Sequence, residues 1–104
     1  MKYLIAFVLV LFAVNTYALT PVDFTSDIVK IMEEHDKSHN YFVNVKNESL
    51  KAHFACQASK DVVYFVKYVY TNQQYAYLID DHIFDYMYST LRIYKPYLNK
   101  KCKL

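Results

Sequence analysis

The sequence predicts an all-α fold, a small three-helix bundle with one disulfide. Three features carry that expectation: no glycine anywhere in the 104 residues, only two prolines, and apolar residues that recur at helical spacing over three stretches. Two-residue hairpin turns favour Asn-Gly or Asp-Gly, which this chain cannot supply. The competing expectation is an α+β fold with strands at about 41–46 and 62–71, where β-branched and aromatic residues crowd together.

In chain order, Lys2, the unbroken apolar run LIAFVLVLFAV (4–14) and Thr16-Tyr17-Ala18 read as an export signal removed after about Ala18. A membrane-spanning helix needs roughly 20 apolar residues, and Asn15 interrupts this run. The expectation is a secreted, extracellular chain of residues 19–104, forming a single small domain with a thin core.

Thr20-Pro21-Val22-Asp23 has a capping hydroxyl, a first-turn proline and an acid three residues after the cap, which mark a helix entrance. Phe24, Ile28, Ile31 and His35 follow at helical spacing, giving a first helix over about 21–37. The stretch 40–46 is polar at both ends and short, and is expected as a connector or an extended piece.

From Glu48 to Thr71, a helical wheel gathers Leu50, Phe54, Ala58, Val62, Phe65, Val66 and Val69 on one side. His53, Gln57, Lys60, Lys67 and Thr71 fall on the other. A separation held over more than twenty residues favours helix over strand. Residues 75–95 repeat the pattern, with Ala76, Ile79, Ile83, Phe84, Met87, Leu91 and Tyr94 opposite Asp81, Asp85, Ser89 and Arg92. Acids early and Arg92 and Lys95 late suit the helix dipole, and Pro96 stops this third helix. Asn72-Gln73-Gln74 is then a tight bend between antiparallel helices.

Cys56 and Cys102 are expected to pair, as an even cysteine count in an exported chain suggests. Asn47-Glu48-Ser49 is an N-glycosylation acceptor. Twelve Lys/Arg, of which Lys2 lies in the leader, stand against ten Asp/Glu. That balance argues against a nucleic-acid partner, and against the strongly cationic helices that disrupt membranes. No stable membrane insertion is expected once the leader is removed.

The chemistry-bearing combinations are sparse. His35 and His39 lie four apart, a spacing that lets two imidazoles share a metal, but with the cysteines assigned to a disulfide the ligand set is short. No metal or cofactor is expected. His53 and Cys56 could pair as base and thiol, yet a disulfide removes the thiol. Asp80, Asp81 and Asp85 sit where a helix start favours acids, and the absence of glycine excludes phosphate loops and nucleophile elbows. Enzyme activity is not expected.

Tyrosine is the distinguishing residue, with twelve in the chain and ten after Ala18. Tyr64, Tyr68 and Tyr88 fall towards the edge or back of the helical wheels, with Lys67 nearby, and are expected to contact a partner. A rigid ring with a polar tip suits protein recognition. The expected function is non-enzymatic binding of another extracellular protein, as an effector, signalling or secretion-fluid component. The alternatives are a carrier whose aromatic residues line a cavity for a small apolar ligand, and tyrosines that merely widen a thin core.

Overall fold

In a computed structural model that describes residues 19–104, the first helix, α1 (Pro21–Asn44), begins at the anticipated cap. Thr20 Oγ1 accepts the Asp23 N–H at 3.1 Å, and Pro21 sits in the first turn, where its missing N–H costs nothing. The leader reading concerns residues 1–18 and lies outside the described residues.

α1 does not stop near residue 37. The buried stripe Phe24, Ile28, Ile31, His35 continues to Phe42, seven residues beyond His35 and on the same face. Phe42 packs edge-on against Tyr94 and Tyr97, with ring centroids 5.1 and 5.0 Å away. That burial carries the helix through the polar stretch 36–41. The stretch 40–46 is therefore mostly helix, a correction to the connector expected there.

The second helix, α2 (Glu48–Thr71), has the expected bounds. Asn47 caps it, its Oδ1 accepting the Leu50 N–H at 3.1 Å. Val62, Phe65 and Val69 are buried at spacings of three and four, so the Val- and Tyr-rich segment is helical, and no strand occurs among the described residues. The strands entertained at 41–46 and 62–71 are overturned because one inward stripe serves the whole segment, whereas a strand would alternate its faces. The stripe is rotated from the expected one. Leu50 is 47% exposed, while Ala55 and Ser59 are buried, their small side chains leaving room for larger neighbours.

The third segment divides. Gln73–Leu78 is a 3-10 turn, Ile79 is extended, and α3 (Asp81–Tyr94) starts only at the Asp80 cap. Asp80 Oδ1 accepts the His82 N–H at 2.9 Å, so one continuous helix over 75–95 is corrected to a turn, a break and a helix. The 3-10 turn brings the Tyr75 hydroxyl to the Leu19 carbonyl, 2.6 Å away. Lys95–Tyr97 forms a last 3-10 turn around Pro96, and the tail returns to α2 through a Cys56–Cys102 disulfide with Cα atoms 5.6 Å apart.

α1 and α2 pack along their length around Phe24, Ile28, Ile31, Val62, Phe65 and Val69, with Met87 added from α3. A second cluster joins Phe42 and Tyr94 to Ala55 and Ala58. α3 rests on α2 but holds its Cα atoms more than 8 Å from those of α1. Ordinary helix pairs, with axes about 8–10 Å apart and Cα radii of about 2.3 Å, come closer. Side chains alone bridge α1 and α3.

Candidate functional site

Of the residues expected to meet a partner, Tyr64 and Lys67 stand exposed on α2 and Tyr88 on α3. Tyr64 is 58% exposed and Tyr88 47%. Tyr68 is half-buried. Its hydroxyl donates to Asp27 Oδ2 at 2.6 Å, and its ring stacks on Phe24 at 5.5 Å with planes 16° apart. Tyr64 stacks on the outer side of Tyr68 at 6.3 Å and 22°. With Tyr75 at 5.6 Å from Phe24, these rings form a row from core to surface. Burial and the Asp27 carboxylate both push the Tyr68 phenol well above its ordinary range.

Tyr64 borders two open grooves. One, of about 390 Å³ between α1 and α2, is lined by Asp27, Lys30, Ile31, Glu34, Asp61 and Tyr64. The other, of about 200 Å³, is lined by Lys60, Val63, Tyr64, Lys67 and Leu104. The first is acidic, with three carboxylates to one ammonium; the second carries two lysines. Burial raises the pKa of Asp61, partly offset by the Ser38 hydroxyl, which donates to its Oδ2 at 3.1 Å. Tyr88 lines neither groove.

A second constellation was not anticipated. His35 is fully buried (0% exposed) between α1 and α3. Its Nε2 lies 3.1 Å from Thr90 Oγ1 and 3.3 Å from the Tyr94 hydroxyl. Thr90 already donates its only hydroxyl proton to the Met87 carbonyl at 2.7 Å, so it accepts from His35. That pattern assigns the His35 proton to Nε2, and buried Nδ1 has no hydrogen-bond partner among the described residues. The Tyr94 hydroxyl lies 2.6 Å from His39 Nδ1, and with the His35 N–H beside its oxygen the phenol is assigned as the donor. Tyr86 closes the cluster, its ring centroid 5.8 Å from that of His35 with the planes 82° apart and its hydroxyl 3.4 Å from Asp36 Oδ1. Burial lowers the His35 pKa and raises that of the Tyr94 phenol. The helical spacing of His35 was legible in the sequence; its partners, 55 and 59 residues away, were not.

The remaining candidates separate. His35 and His39 stack at 6.1 Å but converge on a phenol. Among the described residues no three His, Cys, Asp or Glu gather to hold a metal. Cys56 is oxidised, so beside exposed His53 there is no thiolate. Asp80, Asp81 and Asp85 are exposed, and Asp80 is held below the usual carboxylate range by the His82 N–H and ring. Asn47 is exposed, and its Oδ1 caps α2. An apolar crevice of about 120 Å³ runs between Ile28, Val29, Met32, Leu78, Ile79 and Ile83. No helix among the described residues is long and apolar enough to cross a membrane.

Comparison of the chain with protein-family models, with curated proteins and with solved structures gives no significant match.

Proposed function

We propose that the chain is exported, loses residues 1–18, and acts outside the cell as a non-enzymatic binding protein that recognises another protein through the α1/α2 face around Tyr64. The observation that carries this reading is the ordering of an exposed ring. Tyr64 stacks on Tyr68, which is itself fixed by Phe24 and by its bond to Asp27. Immobilising a flexible side chain on binding costs about 0.5–1.5 kcal/mol. A ring already held in place gives most of that back, as in aromatic interaction hot spots.

The two flanking grooves define the partner's chemistry. A basic side chain of the partner enters the acidic groove beside Asp27, Glu34 and Asp61, and an acidic one meets Lys60 and Lys67. Export is supported by the cross-link, since disulfides persist in oxidising compartments. A glycan on Asn47 would project from the α2 cap without removing the capping oxygen. The carrier reading has weaker support: the apolar crevice, at about 120 Å³, is smaller than the ~300–1,000 Å³ that holds typical ligands, and the larger apolar hollow of about 440 Å³ beside Pro21, Val22 and Leu78 lies open at the surface.

The test uses the mature, oxidised protein immobilised in fluid from the organism that produces it. A protein retained by wild type should bind Tyr64→Ala at least tenfold more weakly, as expected of an aromatic hot spot, and Tyr88→Ala with less than threefold change. Equal loss in both variants, or no loss in either, removes the α1/α2 face from the function. Retention of a small apolar molecule alone establishes the carrier instead.

A further inference from the structure

We propose that the α1–α3 contact is an acid-released latch: His35, held in its Nε2–H form between Thr90 and Tyr94, keeps α3 against α1, and its protonation lets α3 lift while the chain stays tethered to α2.

The geometry sets this up in three ways. First, side chains alone bridge α1 and α3, whose Cα atoms stay more than 8 Å apart. His35 and His39, from α1, meet Thr90 and Tyr94, from α3, at the centre of that bridge.

Second, the hydrogen bonds have no place for another proton. A proton added to His35 must go to Nδ1, which has no hydrogen-bond partner among the described residues and lies 3.8 Å from Asp36 Oδ1, beyond the ~2.7–3.2 Å of a hydrogen bond. Closing that gap swings the ring towards exposed Asp36 and takes Nε2 away from Thr90.

Third, α3 is fixed at both ends independently of the histidines, by the extended Ile79–Asp80 hinge before it and the Cys56–Cys102 bond beyond it. Release therefore lets α3 bow away from α1 between those two attachments.

The charged and titratable groups around His35 are Asp36 and His39 on α1, and Tyr86 and Tyr94 on α3. On α2 the corresponding group is Asp61, which takes the Ser38 hydroxyl and acts on Tyr94. Asp36 alone favours the imidazolium, and it is outweighed by burial.

The experiment follows histidine ring resonances and amide hydrogen exchange of the oxidised mature protein by NMR from pH 7.5 to 4.5, with exchange corrected for its intrinsic pH dependence. His35 should titrate below the ordinary histidine value. Below pH 6.5, protection of α3 amides should fall by up to about tenfold per pH unit and stay below that of Val62, Phe65 and Val69 on α2, which exchange only through global unfolding. His35→Gln supplies a donor to Thr90 and cannot titrate, so its α3 protection should be flat over this range. The wild-type titration decides alone if that variant does not fold. An ordinary or raised His35 titration, unchanged α3 protection, or α3 amides protected as strongly as those of α2 at every pH overturns the latch.

Discussion

Replacing both cysteines, Cys56→Ser with Cys102→Ser, isolates the contribution of the cross-link to this small core. The bond closes a loop with a sequence separation of 46 residues, and the chain-entropy treatment assigns a loop of that length about 4 kcal/mol. Part is recovered in the folded variant. The tail beyond Leu98 is otherwise fixed by local bonds, Cys102 N–H to the Asn99 carbonyl and Lys101 N–H to the Asn99 side chain, and gains freedom when cut loose. The expected loss is about 3 kcal/mol, or roughly 12–24 °C in Tm at about 4–8 °C per kcal/mol for a domain of this size. Urea unfolding at pH 7.5, followed by far-ultraviolet circular dichroism, measures it. The slope with denaturant should steepen as the unfolded chain expands. A loss under about 1 kcal/mol with an unchanged slope would refute the claim that the loop constrains the unfolded state.

Three further outcomes follow from the same contacts. His35 has a folded-state pKa below 6.5, so the unfolded chain takes the proton first. Stability is full above about pH 6.5 and declines, at up to about 1.4 kcal/mol per pH unit, as pH falls towards the lowered value. Asp61, raised by burial, opposes this as pH approaches 4, and a flat urea stability between pH 7.5 and 5 contradicts the assignment. In alkaline titration followed by ultraviolet absorbance, Tyr68, Tyr86 and Tyr94 should ionise after an ordinary phenol, and Tyr68→Phe should remove one phenol from that late phase. At the α2 cap, Asn47→Ala should cost about 1 kcal/mol and Asn47→Asp far less, although both remove any glycan; equal losses would show that Asn47 does not cap.

The legible parts of the fold are those set by local chemistry. α2 has its expected limits because Asn47 caps one end and its apolar stripe runs unbroken to Val69. The entrance of α1 was visible in Thr20-Pro21 for the same reason. Its exit was not, because residues 36–41 are polar and only the distant Tyr94 and Tyr97 make Phe42 a core residue. The break before α3 had a local signal in Asp80, a residue type that favours helix caps. It was masked because Ile79 and Ile83 keep a helical spacing across it, and both still turn inward, Ile79 buried and Ile83 half-buried. In the candidate site, the exposure of Tyr64, Lys67 and Tyr88 followed from their wheel positions. Tyr68 departs because Asp27, on another helix, captures its hydroxyl. The His35 cluster was hidden because every partner but His39 and Asp36 comes from α3.

The fate of each hydroxyl divides the tyrosines between scaffold and surface. Tyr68, Tyr75, Tyr86 and Tyr94 bond to Asp27, the Leu19 carbonyl, Asp36 and His39 respectively. All four bonds reach from α2, the 3-10 turn or α3 back to α1 or the residue preceding its cap. Of these, Tyr86 and Tyr94 cross between the first and third helices, whose backbones stand apart, and a ring with a polar tip spans that gap while satisfying its own oxygen. Tyr64, Tyr70, Tyr77 and Tyr88 are exposed, and water can satisfy their hydroxyls. Among these, Tyr64 alone stacks on one of the fixed rings. The tyrosines that brace the scaffold and the surface proposed for recognition therefore meet at the Tyr64–Tyr68 stack. Tyr68→Ala should accordingly weaken partner binding without touching the partner, by freeing the Tyr64 ring, whereas Tyr68→Phe, which keeps the stack, should bind nearly as wild type.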